Sequence, residues 1–169
     1  KSHDFVLAKS ELAIALLERG REKEALALVA TLEVPASQPG SLNKVWVLIE
    51  QGRLEDARMF LLDKLQAENA RAYRTKTLKM LDKVLGMLRD KCGDLKQAQD
   101  YDRERIVYLK KLLHSSGDPF YSYRIGILQM TLGEYSQARE SFVAAYNSFP
   151  EDSIYKAPAG KFAEKMRNK

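Results

Sequence analysis

The sequence is poor in the residues that most often form metal sites and disulfides. It contains one cysteine, Cys92, and two histidines, His3 and His114. A single cysteine excludes an internal disulfide and fits a reducing compartment, so we expect a cytoplasmic protein. The histidines and the cysteine do not have the spacing of a zinc site. We therefore expect no metal.

Long apolar runs and a strong excess of one charge are also missing. No stretch approaches the about 18–20 apolar residues that span a bilayer, and no signal peptide is recognisable. The net charge of +5 is modest and its residues are scattered, whereas nucleic-acid binders concentrate basic residues on one face. These patterns disfavour membrane insertion and nucleic-acid binding. The most basic stretch, 161–169, fits a solvated last helix, or alternatively a contact with an anionic partner.

Patterns of catalytic residues are absent as well. There is no glycine-rich phosphate loop, because Gly126 and Gly133 are seven residues apart and are explained by packing and by a turn. Asp100, Asp102 and Glu104 alternate within a predicted helix, which spreads them around its solvated surface instead of pairing them. We expect no enzymatic activity and no cofactor.

The sequence does contain one six-residue phrase four times. Its copies are GREKEA (20–25), GRLEDA (52–57), GDLKQA (93–98) and GEYSQA (133–138). Their final alanines are 32, 41 and 40 residues apart. Self-similarity at about 30–45 residues is typical of solenoids that stack one supersecondary unit.

The segments around each phrase have helical periodicity. Apolar residues recur at steps of three and four, as in Phe5, Ala8, Leu12 and Leu16, and again in Ala57, Phe60, Leu61 and Leu65. Within the phrase, glycine is expected to end one helix in a left-handed conformation, and the polar residues after it begin the next. The alanine, one turn later, lets the two helices pack closely. The pattern predicts an all-α chain of antiparallel helical hairpins.

Hairpins with glycine and alanine at this spacing resemble tetratricopeptide repeats. The fourth unit matches the family pattern at Ile125-Gly126, Gly133, Tyr135, Ala138, Phe142, Ala145 and Pro150. It departs at Ser122 and Gln129, where the family has large residues, and the third unit has Asp102 in place of an aromatic. The other units keep Leu12-Ala13, Gly20 and Ala25; Gly52, Leu54, Ala57 and Leu61; and Leu85-Gly86, Gly93, Leu95 and Ala98. The resemblance implies a right-handed α-solenoid.

We predict a single domain over 1–169. Its repeats are expected at about 5–36, 40–67, 69–115 and 119–150, with a capping helix at about 153–167, because the open end of a solenoid exposes core. The third repeat is longer than the family's usual length. From Glu68 to Cys92 glycine occurs only at Gly86 and proline is absent, which predicts a long first helix, and the second is expected from about Asp94 to His114.

The resemblance also implies a binding surface, because in the family the first helices of successive hairpins line a concave groove for a peptide or helix of a partner. The corresponding offsets select Asn43, Trp46, Ile49, Met80, Lys83, Met87, Phe120, Tyr123, Arg124 and Ile127. Such a groove suits an amphipathic helix or an extended apolar segment. Trp46 fits the core between repeats equally well. The family's carboxylate clamp is matched at Asn43 alone, with Ser10, Ile14, Met80 and Val84 at other clamp positions, so we do not expect a receptor for acidic C-terminal tails.

We therefore expect a non-enzymatic protein-interaction module that binds a protein or peptide partner. Two alternatives stay open. The domain can be a scaffold that self-associates, as a homo-oligomer, or that packs inside a larger protein. It can also be a regulatory sensor in which the long third repeat binds a small ligand or signalling peptide. Because the chain begins at Lys1 instead of Met, we expect it to be part of a longer protein.

Overall fold

The protein is all-helical over the residues that the computed structural model describes, which are 8–9, 12–13, 15–16, 19–30, 41–67 and 71–168. The helices are α1 (Glu22–Ala30), α2 (Ser41–Glu50), α3 (Leu54–Ala67), α4 (Arg71–Lys91), α5 (Leu95–Ser116), α6 (Pro119–Thr131), α7 (Tyr135–Ser148) and α8 (Lys156–Lys165), with a short 3-10 turn at Met166–Asn168. No strand occurs in these ranges. The predicted fold class is confirmed.

The chain divides into two compact units, residues 1–84 and 85–169, with the boundary inside α4. The first unit contains α1 to α3, and the second contains α5 to α8. Several predicted features lie outside the described residues, namely Phe5, Ser10, Ile14 and the repeat limits at 5, 36, 40 and 69.

Three of the four repeated phrases form the same turn. Gly20, Gly52 and Gly133 have φ angles of 71°, 71° and 77°, a left-handed conformation that glycine adopts without steric cost. The residue after each glycine donates its backbone N–H to the carbonyl five positions earlier, at 2.9 Å from Arg21 to Leu16, from Arg53 to Leu48 and from Glu134 to Gln129. This is the Schellman ending of a helix. The alanines that close these phrases, Ala25, Ala57 and Ala138, are fully buried.

The third phrase has a different turn, so the prediction of a left-handed glycine is wrong at Gly93. There Cys92 N–H donates to Arg89 O at 3.2 Å, and the Asp94 carboxylate caps α5 by accepting from Gln97 N–H at 2.7 Å. The side-chain cap organises the turn without a reversing glycine. Ala98 is correspondingly only half-buried.

The two long helices predicted for the third repeat are α4 and α5, of 21 and 22 residues. A left-handed glycine, Gly117, ends α5, and its N–H donates to Leu113 O at 2.8 Å. Asp118 then caps α6 by accepting from Phe120 N–H at 2.9 Å, and proline occupies the first turn, where its missing N–H costs nothing.

Asp102 is buried, which corrects the prediction of a solvated carboxylate. It lies on α5 in the buried stripe with Ile106 and Leu109. Its two oxygens accept from Arg105 at 3.2 Å and from Arg89 at 3.4 Å, and the neighbouring Asp90 and Asp102 carboxylates raise the pKa of Arg89. Two guanidinium groups thus compensate the buried charge where the family pattern has an aromatic ring.

The α6–α7 hairpin replaces two other large residues of the pattern with hydrogen bonds. Ser122 and Gln129 are both buried on α6. Ser122 Oγ donates to Ser141 O at 3.0 Å, and Ser141 Oγ donates to Gln129 Oε1 at 2.7 Å. These bonds satisfy the buried polar groups and join α6 to α7 at two levels.

The C-terminal segment, which comprises residues 153–168, packs on this hairpin through apolar side chains. Ala163 and Met166 join Ala138 and Phe142 in one core cluster, and Ala159 joins Ala145 and Phe149 in a second. Helix α8 and the turn after it therefore cover the apolar face of α7.

Candidate functional site

In the first unit the aromatic residue of the predicted site is Trp46, on α2. Its neighbours Val45 and Val47 are buried, whereas Trp46 is 37% exposed. The Nζ atom of Lys83, an exposed residue of α4, lies 4.1 Å from the centroid of the indole ring. This cation–π contact places a positive charge and a large aromatic face side by side on the surface.

Three other predicted residues belong to this unit. Asn43 is half-buried one turn before Trp46 on α2, and Met80 is half-buried one turn before Lys83 on α4, so each shares a helix face with one member of the cation–π pair. We call Asn43, Trp46, Met80 and Lys83 the Trp46 patch. Ile49 is 7% exposed and belongs to the core beneath it.

In the second unit, Phe120 and Arg124 lie one turn apart on α6, and both are half-buried. The guanidinium carbon of Arg124 is 6.0 Å from the centroid of the Phe120 ring. The Phe120 ring also packs against the Tyr155 ring, at a centroid distance of 4.9 Å. The arrangement again joins a cation with an aromatic ring.

Tyr123 is surrounded by rings. Its centroid lies 5.8 Å from Phe142, 6.5 Å from Phe149, 5.6 Å from Tyr155 and 6.3 Å from Phe162. Burial, and secondarily Tyr155, raises the pKa of the Tyr123 phenol. Tyr123 therefore connects the α6–α7 hairpin to the C-terminal segment.

The remaining predicted residues of this unit are Ile127 and Met87. Ile127 packs on the cluster formed by Ala138, Phe142, Ala163 and Met166. Met87 is half-buried on α4. Tyr123 and Ile127 are thus in contact with neighbouring core, whereas Trp46 and Lys83 present more of their surface to solvent.

A concave surface that the residue offsets do not predict lies between α7 and the C-terminal segment. It is lined by Arg139, Val143, Tyr146, Gly160, Ala163, Glu164 and Arg167. Its residues on α7 are four and three positions apart, and those of the C-terminal segment follow one another at steps of three, one and three, but the sequence does not reveal that the two stripes lie side by side. None of the predicted site residues lines it.

A metal site and a membrane span each require particular features of the chain. Over the described ranges, no three His, Cys, Asp or Glu side chains are grouped so as to hold a metal ion. No described helix combines the length and the apolar character needed to cross a bilayer. The groups that the site presents are aromatic faces, aliphatic side chains and cations.

Comparison with known proteins supports the assignment of the fold. A model of the tetratricopeptide-repeat family matches residues 6–31, which include the first repeated phrase. No curated protein matches the chain.

Several solved structures resemble it over nearly the whole chain. YrrB, described as a TPR protein with an unusual peptide-binding site, is 17% identical, with a TM-score of 0.62 over 96% of this chain and 76% of that one. MamA from Desulfovibrio magneticus is 14% identical, with a TM-score of 0.59 over 96% and 93%. TTC0263, a TPR protein of Thermus thermophilus, is 15% identical, with a TM-score of 0.53 over 99% and 82%. The predicted resemblance to tetratricopeptide repeats is confirmed at the level of the fold.

Proposed function

We propose that this chain, which has the fold of tetratricopeptide-repeat proteins, binds a peptide or helix of a partner protein through the Trp46 patch. The fold is one that generally serves as a scaffold for protein interactions. The observation that carries the proposal is the exposed indole of Trp46 with Lys83 at 4.1 Å. An aromatic side chain held in one orientation loses little entropy when a partner covers it.

The patch favours a partner that brings an apolar side chain and a carboxylate together. An apolar side chain of the partner covers the 37% of Trp46 that is still exposed, and that partner side chain itself gains about 1.5–3 kcal/mol when it becomes fully buried. A carboxylate reaches Lys83 at the rim, where it adds orientation more than affinity. An amphipathic helix supplies both groups at a spacing of three or four residues.

We extend the proposal to α6 of the second unit, where Phe120 and Arg124 offer the same pairing of ring and cation. Tyr123 and Ile127, on the same helix, contact the C-terminal segment, and we propose that these contacts hold the surface in place. Met87 completes the proposed set in that unit. Tryptophan, tyrosine and arginine are the residue types that dominate interface energies.

The single tryptophan makes the proposal directly testable. Because Trp46 is the only tryptophan in a chain with eight tyrosines, fluorescence excited selectively at the indole reports on the patch. The probe is a synthetic amphipathic peptide with leucines three and four residues apart and glutamates beside them. We expect saturable quenching, and binding weaker by up to about fivefold for Lys83→Gln, since an exposed ion pair contributes about 0.2–1 kcal/mol. Lys79→Gln, exposed one turn earlier on the same helix, is the control and should bind like the wild type.

Trp46→Ala completes the test with a labelled peptide followed by fluorescence anisotropy. We expect a loss of at least tenfold in affinity, because Trp truncations at interface centres are among the most costly. Equal affinity of this variant and the wild type would refute the proposal. Concentration-dependent self-association that Trp46→Ala abolishes, measured by light scattering, would reassign the patch to a contact between copies of the chain.

A further inference from the structure

The cleft between α7 and the C-terminal segment has a volume of about 360 Å³. Helix α7 contributes Arg139, Val143 and Tyr146, spaced by four and three residues, and these lie beside the core stripe of Ala138, Phe142 and Ala145. The C-terminal segment contributes Gly160, Ala163, Glu164 and Arg167. The cleft is therefore formed by α7, α8 and the 3-10 turn after α8, and it shares no residue with the Trp46 patch or with α6.

Its floor is apolar and partly open to solvent. Val143 and Tyr146 are both exposed. A Cβ atom at Gly160 would lie 3.0 Å from Cδ2 and 3.1 Å from Cε2 of Tyr146, so the absence of a side chain lets the ring lie directly against α8. Lys156 stands 5.3 Å from the ring centroid and is itself held by Glu151 at 2.6 Å.

The walls carry charged groups that the fold does not use. The side chains of Arg139, Glu164 and Arg167 are exposed, and among the described residues none of the three side chains takes part in a hydrogen bond or ion pair. Arg103 on α5, by contrast, holds Asp100 at 3.0 Å. The cleft thus offers two guanidinium donors and one carboxylate acceptor around an apolar floor.

We propose that this cleft is a second docking site, and that it binds an acidic peptide segment of a partner protein. A partner carboxylate pairs with Arg139 and Arg167, in the planar geometry that guanidinium groups favour. A neighbouring apolar side chain covers Val143 and Tyr146, and a backbone N–H of the same segment donates to Glu164. A peptide supplies all three groups, whereas an inorganic anion supplies only the first.

The size of the cleft fits this occupant. Ligand pockets range over about 300–1,000 Å³, and a volume of about 360 Å³ takes a few side chains of an extended segment. The site does not depend on the Trp46 patch, and either proposal can fail without the other.

The test uses a fluorescein-labelled peptide of alternating glutamate and leucine, and a matched peptide with glutamine in place of glutamate. Binding is measured by fluorescence anisotropy. Two double variants remove the same charge: Arg139→Gln with Arg167→Gln empties the cleft of its donors, and Lys161→Gln with Lys165→Gln removes two exposed lysines of α8 that do not line it. Since all four side chains are exposed, we expect unchanged circular dichroism for both.

We expect the arginine pair to weaken binding of the acidic peptide by about tenfold for each lost charge-assisted bond. All proteins carry Trp46→Ala as a common background, so that the Trp46 patch does not contribute to the anisotropy signal. In this background the lysine pair should change affinity less than about twofold, and the glutamine peptide should bind as weakly as the arginine variant does. Equal losses for the two double variants would overturn the proposal, because they would indicate non-specific attraction between charges. Failure of the acidic peptide to bind would also overturn the proposal. This holds even if vesicles containing phosphatidylserine bind to the cleft.

Discussion

Gly126 offers the sharpest test of the packing in the second unit. It is buried in the middle of α6, facing the ring of Phe142. A Cβ atom added there would lie 2.8 Å from Cε1, 2.9 Å from Cδ1 and 3.1 Å from Cγ of that ring. Phe142 is fully buried, and Tyr123 and Phe162 pack against it at centroid distances of 5.8 and 5.1 Å. The ring therefore has no free space into which it can retreat.

Two opposing terms decide the effect of Gly126→Ala. Replacing glycine by alanine inside a helix gains about 1 kcal/mol of helix propensity. Overpacking a closed core by one methyl group costs about 1–3 kcal/mol. We expect a net loss of up to about 2 kcal/mol in the free energy of unfolding.

Gly86 provides a matched control in the same unit. It lies inside α4, and a Cβ atom there would meet Cζ of Arg105 at 3.4 Å, the far end of a flexible side chain. Gly86→Ala gains the same helix propensity without the clash, so it should be neutral or stabilising by up to about 1 kcal/mol. The propensity terms cancel in the difference between the two variants, which leaves the steric cost of about 1–3 kcal/mol.

The measurement is urea unfolding of both variants and the wild type, followed by far-ultraviolet circular dichroism. Unfolding of a repeat array need not be two-state, so coincidence with near-ultraviolet signals is checked for each protein. If Gly126→Ala proves as stable as Gly86→Ala, the contact between Gly126 and Phe142 does not limit the packing of α6 on α7, and the reasoning is wrong.

Three further predictions use the same unfolding assay. Ser141→Ala should destabilise the protein by about 1–3 kcal/mol, because it leaves the buried Gln129 Oε1 without its donor. The double variant that also carries Gln129→Leu should recover part of this loss. No recovery would contradict the role given to the hydrogen bond between Ser141 and Gln129. Gly133 has a φ of 77° with open space around it, so Gly133→Ala should lower the free energy of unfolding by about 1–2 kcal/mol through backbone strain. Gly93→Ala should lower it less, because φ is not positive there. Equal losses would refute the distinction between the two turns. Because the pKa of Tyr123 is raised in the folded protein, the Tyr123 phenol ionises first in the unfolded chain as pH rises above the ordinary value of 10.0. The contribution of Tyr123 to the free energy of unfolding is therefore fully present below that pH and decreases above it. Tyr123→Phe should lose less stability at alkaline pH than the wild type, and an unchanged slope would contradict this assignment.

The sequence predicts the hairpins well because their signals are local. A left-handed glycine and a buried alanine are properties of one turn and the first turn of the next helix, and they are found at Gly20, Gly52 and Gly133. Gly93 escapes the pattern because the Asp94 side chain performs the capping. The local pattern does not predict the burial of Asp102, because one of the residues that compensate its charge, Arg89, belongs to another helix.

The candidate site is less accessible to sequence reasoning, because it depends on how distant segments pack. Offsets from each glycine nominate Tyr123 as a residue of the binding surface, but they do not reveal that Tyr155 and Phe162 pack against its ring. The cleft beside α7 requires two stripes of residues to meet, one before and one after Pro150. Neither stripe is unusual by itself.

The C-terminal segment constrains how a partner can engage the second unit. Phe120 and Tyr123 both contact Tyr155, and Tyr123 also contacts Phe162, so the aromatic face of α6 is already partly occupied by the chain itself. A partner that competes for these rings must first release apolar contacts, which lowers its apparent affinity by the free energy of that release. A partner that uses the exposed arginines of the cleft, Arg139 and Arg167, binds without releasing these ring contacts. In the second unit, specificity is therefore expected to come from exposed cations beside rings that the fold holds in place.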